Sequence, residues 1–202
     1  MARGGSGRRR AEGPCNASRL AAVALLLLLI MPLVATGTDS LVADEDHLKA
    51  TFVLKLAGFV EWPAASGGKG PLLFCVLGRS SLGAALSEII LERGREQPAA
   101  AVRQIDSLGG LDDCRVLFVG ADERERLDPI LGRAGQQPIL TIGESADFAV
   151  RGGMITLVER NRRLAFEINR GAAERSGLRM RSQLLGLATV VESPDRSPEA
   201  VQ

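Results

Sequence analysis

The stretch Leu72-Leu73-Phe74-Cys75-Val76-Leu77-Gly78-Arg79-Ser80-Ser81-Leu82 decides the fold. Its apolar run has the length of a strand and stops at Gly78. A strand that is apolar throughout is one covered by helices on both faces. After the glycine, Ser80 and Ser81 have helix-start chemistry. Leu82, Ala85, Leu86, Ile89 and Ile90 then recur at helical spacing.

The same unit recurs downstream. Val116–Val119 ends at Gly120, followed by Asp122 and Glu123 and then by Leu127, Ile130 and Leu131. Ile139–Ile142 ends at Gly143, followed by Glu144, Ser145 and a shorter segment to Val150. Ala99–Ile105 fits one more strand, between the first and second units. Strand, glycine, helix in repetition predicts an α/β fold with a mostly parallel or mixed sheet and helices on both faces.

Toward the C-terminus the pattern changes. Met154–Glu159 and Leu164–Ile168 are strand-like, and Arg160-Asn161-Arg162-Arg163 is a polar turn between them. This predicts an antiparallel hairpin at the end of the sheet. Asn169 is placed to cap a helix through about Arg175, and Gly177 to stop it. Leu184–Val191 closes the domain. Residues 193–202, rich in Pro, Ser and charge, are expected to form a flexible tail.

Toward the N-terminus, Leu48, Phe52, Leu56, Phe59 and Val60 form one face of a helix expected over Asp46–Val60. Asp44 and Asp46 fit its cap and first turn. Pro63 restricts the residue before it and sets the expected end. Ala64–Gly70 reads as a glycine-rich turn. Further out, Arg3, Arg8, Arg9, Arg10 and Arg19 make a basic start to an apolar run, Leu20–Val34, interrupted by Pro32. Small residues follow, with cleavage sites after Gly37 or Ala43. This is the layout of a secretory signal peptide over residues 1–37, or up to 43. An uncleaved N-terminal anchor is the alternative. Residues 44–192 are then the working α/β domain, outside the cytoplasm.

Loss of residues 1–37 removes five of the 25 Lys and Arg and one of the 24 Asp and Glu. The remaining 20 and 23 give a net charge of −3, which disfavours general nucleic-acid binding. Cys15 leaves with the leader, and Cys75 and Cys114 remain. An even number in an oxidising compartment suggests one disulfide, with two buried thiols that never meet as the alternative.

Catalytic chemistry is hard to assemble from these residues. His47, the one histidine, sits on a helix without an obvious partner, and no Gly-x-Ser-x-Gly elbow occurs. The acid pairs Asp112-Asp113 and Asp122-Glu123 fall at loops or helix starts, where they stabilise helix termini or stay solvated. Neither a metal nor a cofactor is expected, and the chain reads as a non-enzyme. The strand ends at Gly78, Gly120 and Gly143 form either a ligand crevice or plain turns. Arg175, Arg179 and Arg181 form either a basic patch for an anionic ligand or a solvated face. Arg179 and Arg181 are the ligand-binding candidates. Phe59, Trp62 and Pro63 are the partner-binding candidates, because tryptophan is over-represented among interface anchors.

The segment from Lys49-Ala50-Thr51-Phe52 to Phe59-Val60-Glu61-Trp62-Pro63 resembles the opening motif of the YfiR-like family. Further landmarks follow in order: Phe74-Cys75-Val76-Leu77-Gly78, Cys114-Arg115-Val116-Leu117-Phe118-Val119-Gly120, Leu140-Thr141-Ile142-Gly143-Glu144 and Phe148-Ala149. Gly152-Gly153-Met154-Ile155, Phe166-Glu167-Ile168-Asn169 and Ser182-Gln183-Leu184-Leu185 complete the set, so the match runs from about Leu48 to Val191. The resemblance implies a periplasmic α/β regulator, often a homodimer. It implies restraint of an inner-membrane diguanylate cyclase through that enzyme's periplasmic region, and so control of cyclic-di-GMP and biofilm formation. It also implies that Cys75 and Cys114 are the family's disulfide pair. The second cysteine pair of some relatives is missing here. A periplasmic small-molecule sensory module is the alternative function.

Overall fold

The structure, a computed structural model, describes residues 38–64, 71–93, 100–161 and 163–193. The leader at residues 1–37, most of the Ala64–Gly70 turn, Ala99 and the tail beyond Ser193 lie outside the described residues.

The chain runs α1 (Thr38–Ala57), β1 (Val60–Glu61), β2 (Leu72–Leu77), α2 (Leu82–Arg93), β3 (Ala100–Ile105) and β4 (Val116–Val119). It continues through α3 (Leu127–Ala134), β5 (Leu140–Gly143), β6 (Ile155–Arg160), β7 (Arg163–Asn169) and α4 (Arg170–Arg175). It ends in β8 (Arg179–Met180), α5 (Ser182–Leu185) and β9 (Thr189–Val191). Seven strands form one mixed sheet in the order β3-β2-β4-β5-β6-β7-β9. The pairings from β3 to β6 are parallel, β7 runs antiparallel to β6, and β9 runs parallel to β7. The expected α/β fold and hairpin are therefore present. β1 and β8 make a separate antiparallel pair.

Alternation along the strands builds two cores, one on each face. Phe74, Val76, Val116, Phe118, Leu140 and Ile142 pack with Val53 and Leu56 of α1 and Leu86 and Ile89 of α2. Their neighbours Cys75, Leu77, Leu117 and Val119 pack on the other face with Leu127, Ile130 and Leu131 of α3. This two-sided burial is why the strands read as continuous apolar runs. Cys75 and Cys114 are joined by a disulfide, with Cα atoms 5.8 Å apart. It ties the middle of β2 to the segment entering β4.

Several elements differ from expectation. α1 starts at Thr38, so Asp46 is interior rather than a cap, and its carboxylate accepts a hydrogen bond from Ser81 Oγ ahead of α2. The helix ends at Ala57 rather than Val60. The turn at Gly58 closes it through Gly58 N–H to Lys55 O and Phe59 N–H to Leu56 O, both 3.0 Å. Val60 and Glu61 are thereby released to pair with β8. After Gly120 the chain first makes a 3-10 stretch, Ala121–Arg126, before α3. Gly143 belongs to β5, where it pairs with Val119 and Thr156. The segment after it is a turn closed by Phe148 N–H to Ser145 O and Gly153 N–H to Phe148 O, both 2.9 Å. A side chain on Gly143 or Gly153 would collide with the buried Phe148 ring. The closing stretch Leu184–Val191 divides into α5 and β9, leaving Leu187 and Val190 exposed.

The Asn169 cap is present. Its Oδ1 accepts from Ala172 N–H at 2.9 Å, while Nδ2 donates to Ala149 O at 2.8 Å and to Ser193 Oγ. One buried amide thus joins the β5–β6 crossover, the start of α4 and the chain leaving β9.

Candidate functional site

The two sets of candidate residues lie about 120 positions apart in sequence, and the structure brings them together. In the β1–β8 ladder Val60 pairs with Met180, and Glu61 with Arg179. Arg181 N–H donates to Phe59 O at 3.0 Å, fixing the chain on both sides of the ladder. Gly177, at φ +77°, turns the chain into β8 and lies against Pro63. Phe59, Trp62, Pro63, Arg179 and Arg181 therefore belong to one surface region.

Trp62 follows β1 rather than a helix exit, because α1 stops early. Phe59 and Trp62 are half-buried and pack against the α1–α2 core. Pro63 is also half-buried. The Trp62 indole N–H is buried and has no acceptor among the described residues. An unmade hydrogen bond of this kind costs stability.

The two arginines differ in their partners. Arg181 Nε lies 3.5 Å from Glu61 Oε1. This pair is exposed, so it contributes little to stability. Arg179 makes no ion pair among the described residues. It borders a cleft of about 750 Å³ with Arg170, Glu174, Met180 and Leu185. Glu61, between Val60 and Trp62, carries no sequence signal that sets it apart. The alternation of Arg179 and Arg181 about Met180 was the available sign of a strand with both arginines on one side. Arg175 does not join them; it sits in the last turn of α4 and borders a different cavity.

The strand-end crevice is occupied by the protein itself. Arg79 N–H donates to Asp122 Oδ1 and Oδ2 at 3.1 and 3.0 Å. Gly78 has φ +89°, and a Cβ there would stand 2.5 Å from Asp122 Oδ1. Turn geometry and the approach of a carboxylate both require the glycine. Asp106, Asp122 and Glu123 line this crevice together with Arg79 and Arg126, and Arg126 Nε pairs with Glu123 at 2.7 Å. The other acid pair is engaged at the surface, Asp112 with Arg133 at 3.4 Å and Asp113 with Arg103 at 3.9 Å. His47 is exposed on α1.

Midway along α1, Lys49 Nζ bridges Glu45 at 2.7 Å and Glu144 at 2.9 Å. Burial works against its charge, but the hydrogen bonds to Glu45 and Glu144 prevail and hold the ammonium above its usual range. The bridge ties α1 to the end of β5. Among the described residues, no group of three His, Cys, Asp or Glu is placed to hold a metal. No helix among them is long and apolar enough to cross a membrane.

A solved structure similar to this chain is a conserved domain protein from Vibrio cholerae O1 biovar El Tor str. N16961, at 12% sequence identity and a TM-score of 0.48. The similarity covers 72% of this chain, which spans 59% of that protein's length. The YfiR/HmsC-like family model matches residues 46–189, from the first half of α1 to the first residue of β9. Every strand that forms the sheet core lies within that match, and the chain belongs to the YfiR/HmsC-like family.

Proposed function

We propose that this protein is a non-catalytic periplasmic regulator that binds and restrains a membrane-bound signalling protein. The partner in this reading is an inner-membrane diguanylate cyclase, and the output is cyclic-di-GMP level and biofilm formation. Membership of the YfiR/HmsC-like family over residues 46–189 carries the reading. The Cys75–Cys114 disulfide supports a compartment in which thiols oxidise. Residues 1–37 serve as the export leader, and residues 44–192 are the regulatory domain. Phe59, Trp62 and Pro63 form the apolar centre of the partner contact, with Glu61 and Arg179 at its rim. Interfaces are commonly built from an aromatic anchor inside a polar rim.

The test uses the protein as bait against detergent-solubilised envelope under oxidising conditions. Recovery of a membrane protein with a cyclase output domain is expected, with loss of capture and a rise in cyclic-di-GMP for a folded Trp62→Ala variant. Unchanged repression by Trp62→Ala counts against the proposed surface. Recovery of no cyclase counts against the partner.

The second reading is a sensory module that holds an anionic metabolite in the cleft that Arg179 lines, while Arg181, the other candidate, is paired with Glu61 outside that lining. It is favoured by Arg179, which has no carboxylate partner among the described residues. A ligand at a hundred times its dissociation constant would stabilise the fold by about 2.7 kcal/mol. That gain should vanish in Arg179→Ala.

A further inference from the structure

A second cavity, of about 310 Å³, lies on the α3 side of the sheet. Leu131 of α3, Thr141 of β5, Arg151 and Met154 of the crossover, Arg175 of α4 and Ser193 after β9 all line it. No aspartate or glutamate does. The other clefts do carry acids, among them Asp112 and Asp113, Glu144 and Glu159, and Asp122 and Glu123.

The two guanidinium groups are not equivalent. Arg151 is already engaged, with Asp128 at 3.1 Å, Asp147 at 3.9 Å and the Arg124 carbonyl at 2.8 Å. Arg175 has no ion pair and no hydrogen bond among the described residues. Its guanidinium lies over Gly171, where a Cβ would stand 3.2 Å from Nη1. An exposed guanidinium with no acid partner among the described residues therefore borders a cavity that no acid lines.

Two hydroxyls add donors. Thr141, 2% exposed, accepts from Met154 N–H at 3.0 Å and keeps its own proton to give. Ser193 Oγ accepts from Asn169 Nδ2 and likewise keeps its proton. Leu131 and Met154 add apolar lining. The volume is at the small end of ligand sites.

We propose that this cavity binds a small organic carboxylate of a few carbons. The carboxylate meets the Arg175 fork, which suits two-oxygen recognition, and the Thr141 and Ser193 hydroxyls donate to it. The short aliphatic body lies on Leu131 and Met154. The site is separate from the Phe59–Trp62 surface and from the Arg179 cleft, so it does not depend on either functional reading.

The test is a thermal-shift titration of the protein purified after expression of its full-length chain, with propionate, butyrate, phosphate and chloride at matched ionic strength. A saturable rise in melting temperature is expected with propionate or butyrate and not with chloride. Affinity should fall at least tenfold in Arg175→Gln, a surface-side substitution that leaves both cores intact, and should be unchanged in Arg179→Gln. Three results would overturn the proposal: no saturable shift with either carboxylate, a shift that survives Arg175→Gln, or phosphate binding as tight as butyrate.

Discussion

The carboxylate of Asp122 receives the backbone N–H of Arg79 on both oxygens, at 3.1 and 3.0 Å, across 43 residues of chain. It fastens the turn after β2 to the turn after β4, at the end of two adjacent parallel strands. The Arg79 N–H, with help from the Arg79 guanidinium, holds the Asp122 carboxyl below its ordinary range. A depressed carboxyl stabilises the fold above its unfolded value, here 3.8, and loses that contribution as pH falls through the lower folded value. Asp122→Asn should therefore melt lower than the parent at pH 7, and the gap should close in strong acid. Thermal melts from neutral pH to below 3 check this; a gap that is constant with pH would refute it.

The disulfide encloses 39 residues of sequence separation. A loop of that length corresponds to about 4 kcal/mol of restricted unfolded-state freedom. Cys75→Ala and Cys114→Ala should each lose stability by a few kcal/mol, and alike. Urea unfolding with and without reductant measures it: the reduced parent should resemble the variants. Free thiols in the oxidised protein would end the prediction.

Asn169→Ala removes the α4 cap and leaves the Ala149 carbonyl without its buried donor. A lost cap costs about 1 kcal/mol and an orphaned buried acceptor about 1–3 kcal/mol, so a loss of roughly 2–4 kcal/mol is expected in urea unfolding. Asn169→Asp keeps the cap acceptor but sets a buried carboxylate oxygen against the Ala149 carbonyl, so it too should be destabilised at neutral pH. Equal stability of the parent and Asn169→Ala would refute the hub role.

Phe148 is fully buried between Gly143 and Gly153, which leave the ring its space. Phe148→Ala should cost about 3–5 kcal/mol, as a large cavity in a packed core does. Gly153→Ala should also destabilise, because its new methyl group meets the same ring. The double variant Phe148→Ala with Gly153→Ala should lose less than the sum of the two, measurable in a double-mutant cycle.

Trp62→Phe removes an indole N–H that has no acceptor among the described residues. The lost penalty offsets part of the lost contact area, so stability should stay within about 1 kcal/mol of the parent. Trp62→Ala, which forfeits the packing as well, should fall by about 2–3 kcal/mol. Calorimetry of the pair checks the difference, and a large loss in Trp62→Phe would show that the N–H is bonded.

The sequence made the parts with a local signature readable. The three apolar runs stand out because both faces of each strand are covered, so Thr141 is the one polar residue within them. The β6–β7 hairpin and the Asn169 cap depend on residues within a few positions of one another. The rest depends on distant contacts. Asp46 reads as a cap until Ser81 is seen to take its carboxylate. Asp122 reads as a helix start, yet its ligand is a backbone group 43 residues earlier. Arg175, Arg179 and Arg181 form one cluster in sequence, but the turn at Gly177 sends Arg175 to a different cavity. In the candidate surface, the aromatic residues and the arginines lie about 120 positions apart in sequence. Only the β1–β8 ladder unites them, and strands of two residues carry no periodicity to read.

The sheet ends in its shortest strand. β9 covers β7 only from Glu167 to Asn169, leaving Arg163–Phe166 without a strand partner on that side among the described residues. The cover on this side of β7 therefore rests on the three residues Thr189–Val191. Proteolysis just after α5 would uncover the full border of β7, and exposed strand borders recruit other strands. The exposed arginine at position 163 opposes pairing of like copies along that border through charge repulsion.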